Sequence, residues 1–252
     1  MKKPKEIAES YISIGKAKTE TGIVKTFILA AFAGAFIALA GVGSTFGGVY
    51  LNKVAGAAIF PGGLAMVLIA GSELFTGNCL LIIPLLKREV SFLKVLKNLG
   101  VVYLGNFVGA CLVAVLATYS GVFSSDAVKA AVIAAAENKA SLNFGQAFLR
   151  GVLCNVLVCI AVWMSFAADT VGGKIAALFF PIMLFVVAGF EHSVANMYYL
   201  PAGYLTALFY GVDTSFTVES ALLFNLLPVT LGNVVGGMGV GALYKVVFLS
   251  DK

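Results

Sequence analysis

The chain has 252 residues, 60% of them hydrophobic and 12% charged, with a formal net charge of +5. A soluble domain carries roughly 25% charged residues, so this composition, with a mean hydropathy of +1.00, excludes an ordinary water-soluble protein and points to an integral membrane protein. The positive balance is no sign of nucleic acid, because in a membrane protein the placement of Lys and Arg carries the meaning.

The opening Met1-Lys2-Lys3-Pro4-Lys5-Glu6 is charged, without a signal-peptide pattern. Within 1–26, Ile7, Tyr11 and Ile14 fall at helical spacing. That predicts a cytoplasmic amphipathic helix, on the membrane surface or against the protein's own inner face. Apolar stretches follow at about 27–50, 54–86, 99–119, 144–168, 175–210 and 221–249. Four of them fit one spanning helix of about 20 residues each. The second and fifth are too long for one span, too short for two, and interrupted by polar residues. In the fifth, about 15 apolar residues precede Glu191 and rise only about 22 Å, short of the roughly 30 Å hydrocarbon core. Both segments therefore read as helices broken inside the membrane.

The two halves of the chain resemble each other. Asn98-Leu99 and Leu104-Gly105-Asn106 recur 127 residues later as Asn225-Leu226 and Leu231-Gly232-Asn233. Gly71, Glu73 and Asn78 recur 118 residues later as Gly189, Glu191 and Asn196. A Phe-Pro pair (Phe60-Pro61, Phe180-Pro181) is expected to open each broken segment. The predicted fold is a single all-α transmembrane channel domain over 1–252. It holds six segments in two inverted three-helix repeats, at about 27–119 and 144–249. Matching helix breaks in inverted repeats place a substrate path near the bilayer midplane. With six segments, 13 of the 17 Lys and Arg fall on the side of both termini and 4 on the other, which predicts cytoplasmic termini.

Polar residues inside hydrocarbon face a cavity or one another. Glu73 and Glu191 repeat, so they are expected to serve a shared structural need by accepting hydrogen bonds from backbone N–H groups freed at the breaks. Asn78 and Asn196 carry the same expectation. His192, the one histidine, has Leu74 as its counterpart. An unrepeated polar residue in a break is a candidate for anion binding or proton exchange. Asn106 and Asn233 suit hydrogen bonding between helices beside glycine-rich faces. Lys139 and Arg150 are either solvated loop charges or a cationic vestibule. Apolar residues flanking the breaks could close a pore. Cys79, Cys111, Cys154 and Cys159 lack metal-ligand spacing and read as reduced packing thiols. No catalytic residue, metal site or cofactor motif is evident.

The motifs GSELFTGN (71–78), GFEHSVANMYYLP (189–201) and NLLPVTLGNVVGG (225–237) together resemble the formate/nitrite transporter family, and the likeness spans essentially the whole chain. The resemblance implies a homopentamer of aquaporin-like protomers in the cytoplasmic membrane, each passing small monovalent anions of weak acids, with protons as possible co-substrates. It implies that His192 and Thr76 form the central polar pair, that Asn233 is a pore asparagine and that Lys139 draws anions in. Phe60, Leu64, Leu74 and Phe185 would form the constrictions, and the N-terminal segment would gate with pH. Formate channels of this family are associated with Asp-Leu-Phe-Thr-Ser at the first break, where this chain reads Glu73-Leu74-Phe75-Thr76-Gly77-Asn78. That departure leans the expected anion from formate toward nitrite or hydrosulfide, with hydrosulfide favoured. The alternative is an aquaporin-like channel for water or neutral solutes, against which stands the absence of paired Asn-Pro-Ala breaks.

Overall fold

The computed structural model describes residues 1–250, and among these the regular secondary structure is entirely helical. Helix α1 (Pro4–Glu20) precedes α2 (Ile23–Tyr50). The second apolar stretch divides into α3 (Lys53–Ile59), α4 (Pro61–Ile69), α5 (Phe75–Asn78) and α6 (Ile82–Leu86). Helices α7 (Phe92–Tyr119), α8 (Asp126–Ala140) and α9 (Phe144–Ala167) follow. The fifth stretch divides into α10 (Val171–Ala188) and α11 (Ser193–Tyr210). The last helix runs as α12 (Val218–Ser220), a π-helical turn at Ala221–Leu226, and α13 (Leu227–Leu249). Among the described residues five helices are long and apolar enough to cross a membrane, and the broken Lys53–Ile69 and Phe75–Leu86 pieces supply shorter apolar ones.

Both expected breaks are present. Ala70–Leu74 separates α4 from α5, and Gly189–His192 separates α10 from α11. Each has a glycine in the left-handed region at or next to its start, Gly71 at φ +79° and Gly189 at φ +70°, where a Cβ would be strained. The two proline expectations divide. Pro61 does open α4, but Pro181 lies inside α10, which starts ten residues earlier at Val171. Proline inside a membrane helix is tolerated where neighbours satisfy the freed carbonyl.

Two helix pairs form the frame. α2 packs on α7, and α9 packs on α13. Glycine allows backbone contact in both: a Cβ on Gly109 would fall on the Ala31 carbonyl oxygen, and one on Gly236, 127 residues later, on that of Val152. α1 lies against the body rather than standing free. Ile7 and Tyr11 are buried, Ile14 is half-buried, and the Tyr11 hydroxyl donates to the Gly77 carbonyl at 3.3 Å. Helix α8 was not anticipated from the sequence. Ser125 caps it, its side chain accepting from Val128 N–H, and Val128, Val132 and Ala136 are buried. Cys79, Cys154 and Cys159 are buried free thiols, and Cys111 is half-buried.

Candidate functional site

Each break is held by an asparagine from an intact helix. Asn106 on α7 accepts from Phe75 N–H at 2.9 Å and donates to the carbonyls of Ala30 and Glu73 at 2.7 and 2.9 Å. Asn233 on α13 accepts from Ser193 N–H at 2.8 Å and donates to the carbonyls of Gly151 and Glu191 at 2.8 and 2.9 Å. The six partners correspond pair by pair between the halves. Both side chains are fully buried. All their N–H donors are engaged in closing the breaks.

The freed backbone groups therefore do not go to Glu73 and Glu191, as the sequence suggested. The carboxylates instead anchor two matched side-chain clusters. Lys18 Nζ meets Glu73 at 2.8 Å and Asn78 Oδ1 at 3.1 Å, and Asn78 donates to Glu73 at 2.7 Å and to Asn98 at 2.9 Å. Lys139 Nζ meets both Glu191 oxygens at 3.1 and 3.2 Å, and Asn196 donates to Glu191 at 2.6 Å and to Asn225 at 2.7 Å. Asn98 then donates to the Lys18 carbonyl and Asn225 to the Lys139 carbonyl, at 3.2 and 2.9 Å. The asparagine amides reach the carboxylates because buried charge needs hydrogen-bond partners as well as a counter-ion. Lys139 is thus no loop charge. It ends α8 in a buried ion pair, with 17% of its side chain exposed and 5% of that of Glu191.

His192 begins α11, where its Nδ1 accepts the Ala195 N–H at 3.0 Å. That bond assigns the neutral ring's proton to Nε2, which donates to Thr76 Oγ1 at 2.9 Å. A second proton on Nδ1 would oppose the Ala195 N–H. The structure thus brings the expected central pair together. Asn155 on α9 ties this point to the frame by donating to the carbonyls of Thr76 and Asn233 at 3.2 and 2.6 Å.

Three cavities share walls in sequence and define a path. A wide cavity of about 580 Å³ is lined by Lys53, Lys139, Arg150, Glu191 and His192, and ends against Phe60 and Phe185. Behind those rings lies a void of about 10 Å³ between Phe60, Leu64, Leu74, Phe185 and His192. Leu64 and Leu74 separate it from a third cavity of about 50 Å³ that reaches Lys18 and Tyr11. All four expected constriction residues meet here, with the Phe60 and Phe185 rings 5.7 Å apart edge to face and Phe185 stacked 5.8 Å from His192. Arg150 joins Lys139 in the wide cavity, so the vestibule carries three basic groups against one carboxylate. Asn233 and Thr76 line none of the three, and of the central pair only His192 reaches the path.

The family model described as formate/nitrite transporter matches residues 5–247. The chain belongs to the formate/nitrite transporter family. It is 38% identical to the probable formate transporter of Methanothermobacter thermautotrophicus over 99% of this chain and 98% of that one. It is 32% identical to the formate channel FocA of Escherichia coli K12 over 99% and 95%. Among solved structures it resembles a pentameric formate channel with formate bound (TM-score 0.79, 31% identity, 90% of this chain and 98% of that one). It also resembles an FNT family ion channel (TM-score 0.85, 29% identity, 97% and 98%). These relatives are membrane transporters and channels, not enzymes, and the chain is a multi-pass membrane protein of their kind.

Within this formate/nitrite transporter frame, sequence reasoning passed over Lys18, Asn98, Asn155 and Asn225 as site residues. A signal for Lys18 existed. Lys139 follows it by 121 residues, and the same interval separates Ala30 from Gly151, the paired carbonyls that accept from Asn106 and Asn233.

Proposed function

We propose that this protein is a channel for small monovalent anions of weak acids, formate, nitrite or hydrosulfide, across the cytoplasmic membrane. The observation that carries the reading is the path itself: a basic vestibule, a short dry constriction with one polar pair, and a second lysine beyond it. A bare anion in the apolar constriction would meet a large desolvation cost. Lys139, Arg150 and Lys53 would gather anions at one mouth, with Lys18 the counterpart of Lys139 at the other. Protonation to the neutral acid in the wet vestibule would permit passage between Phe60, Phe185, Leu64 and Leu74. At the dry stretch Thr76 Oγ1 holds the His192 ring that lines it; a permeant would accept the Nε2–H only by displacing Thr76, and proton transfer through His192 requires releasing the Ala195 cap. Glu73, Asn78, Glu191 and Asn196 hold the two lysines, and Asn106 and Asn233 hold the breaks.

The matched bonds at intervals of 118, 121 and 127 residues support six crossings in two inverted repeats. They extend those repeats to include α1 and α8. The basic-residue distribution supports cytoplasmic termini, with the wide cavity facing outward. The likeness to a pentameric formate channel supports a homopentamer embedded in lipid. For the anion, the names of the relatives favour formate, and the Glu73–Asn78 break sequence favours hydrosulfide.

The test is stopped-flow swelling of proteoliposomes with formate, nitrite, hydrosulfide and chloride across a pH series. Weak-acid flux that rises toward acid, with chloride excluded, supports the proposal. Osmotic water flow without anion flux supports the aquaporin-like alternative and overturns it.

A further inference from the structure

One backbone bond at each break repeats as well. Glu73 N–H donates to the Leu29 carbonyl and Glu191 N–H to the Arg150 carbonyl, each at 3.3 Å. Leu29 and Arg150 are 121 residues apart, the interval that also relates Lys18 to Lys139. The backbone has the same task in both halves, but the side chains differ. A leucine suffices for the scaffold in the first half, so the guanidinium in the second is not needed to hold the break.

Arg150 lines the wide cavity together with His192, the other polar residue whose counterpart is a leucine. Leu29 lines none of the three cavities of the path. Of the three basic groups in the wide cavity, Lys139 is already engaged. Its Nζ serves both oxygens of Glu191 at 3.1 and 3.2 Å and lies over the Tyr199 ring, 5.3 Å from the centroid. Glu191 is the one carboxylate lining this cavity, and Asn196 and Asn225 also donate to it, at 2.6 and 3.3 Å. Arg150 and Lys53 are exposed, and among the described residues neither makes an ion pair. The cavity therefore presents two unpaired cations, and of these only Arg150 stands on the helix that is bonded to the break.

A guanidinium presents paired N–H donors in a rigid plane and takes two oxygens of one anion at once, whereas an ammonium acts as a point charge. Formate and nitrite each carry two such oxygens, and hydrosulfide offers a single sulfur. We infer, resting on the channel reading above, that Arg150 is the docking residue of the wide cavity: its guanidinium binds both oxygens of formate or nitrite ahead of the constriction. This contact favours two-oxygen anions over hydrosulfide. Lys139 and Lys53 supply positive field at longer range.

Arg150 and Arg88 are the two arginines of the chain, and both are exposed. Phenylglyoxal modifies arginine, and mass spectrometry reads each site separately. With the full-length protein in proteoliposomes and mildly alkaline buffer, formate or nitrite is expected to slow modification of Arg150 severalfold. Chloride at the same ionic strength is not, and Arg88 should respond to none of them. Flux reads the same contact a second way. Arg150→Lys keeps the charge and loses the fork, and is expected to raise the half-saturating concentration of formate severalfold relative to that of hydrosulfide. Lys53→Gln removes a charge and should raise the two alike. Equal protection by formate and chloride, or protection by neither, overturns the inference. So does a formate-to-hydrosulfide ratio that Arg150→Lys leaves unchanged, or that Lys53→Gln alters as much. If the wild type passes none of the three anions, the channel reading falls, and protection of Arg150 alone decides whether the docking site stands.

Discussion

His192 Nε2 lies 2.9 Å from Thr76 Oγ1, and this contact joins the two halves at positions where their polarity is exchanged. His192 corresponds to Leu74 and Thr76 to Val194, each 118 residues apart. The scaffold bonds around them repeat, but this pair has no second copy. The structure is therefore near-symmetric in the supports of the two breaks and asymmetric where the histidine and the hydroxyl meet.

Thr76→Val keeps the shape and removes the hydroxyl. Loss of the hydrogen bond that holds His192 at the constriction, at about 1–1.5 kcal/mol, is expected to lower formate flux by about tenfold. His192→Asn retains an N-cap of the preferred type but loses the imidazole's reach. It should assemble normally and change both flux and its pH response. Stopped-flow assays on the two variants check this, and wild-type flux with wild-type pH response in both removes the pair from the path.

Removing a lysine leaves a carboxylate buried without its counter-ion. Lys139→Met should destabilise the protein by about 3–5 kcal/mol, the usual result of breaking one side of a buried pair. Lys18→Met should cost less, because more of the Glu73 side chain is exposed, 12% against 5% for Glu191. Adding Glu191→Gln to Lys139→Met is expected to recover much of the stability without restoring flux. Thermal unfolding followed by size-exclusion chromatography, paired with flux, separates the structural from the conducting role. Recovery of both would show that Lys139 serves only Glu191.

The breaks were legible in the sequence because Gly71 and Gly189, with the polar residues behind them, interrupt apolar stretches too long for one span. That Phe60, Leu64, Leu74 and Phe185 would come together was legible through the family resemblance. The lysine clusters were not read as such. Lys18 looks like one of several exposed amphipathic-helix charges, and its match to Lys139 is hidden because the intervals change from 121 to 118 to 127 as connecting lengths vary. Helix α8 was missed for a related reason: it is only moderately apolar, and its ordering comes from packing against α11 rather than from a long hydrophobic run. The carboxylate partners could not be assigned because backbone donors and distant amides are equally suitable acceptors' partners on paper. Only the fold decides which of them lies within reach.

Phe60 and Phe185 close the wide cavity by size and dryness. Phe60→Ala alone should leave Phe185 against His192, with a modest rise in flux. Phe60→Ala with Phe185→Ala should join the wide cavity to the void behind it and admit a bulkier weak acid such as propionate. Swelling with formate and propionate provides the ratio. An unchanged ratio in the double variant would assign the size limit to Leu64 and Leu74 instead.

Beyond its buried Ile7 and Tyr11 and the Lys18–Glu73 contact, helix α1 is tied beneath the path by an exposed ion pair from Lys16 to Glu89, outside the membrane-spanning segments. The hydrogen bond and charge of Lys16 hold the Glu89 carboxyl below the usual carboxylate range. Because the docked value lies below the free value of about 4.3, the contribution of this pair is fully present above that free value. It is lost as pH falls through the docked one. Docking of α1 by this contact should thus be constant through neutral pH and weaken only in acid below about pH 4. Limited proteolysis of the N-terminal segment in proteoliposomes reads the docking directly. Cleavage should rise only in the acid samples for the wild type, whereas Glu89→Gln should show the raised cleavage at neutral pH already. If wild-type cleavage instead rises between about pH 7 and 6, where an ordinary carboxylate does not titrate, the Lys16–Glu89 pair does not set the pH dependence of α1 docking.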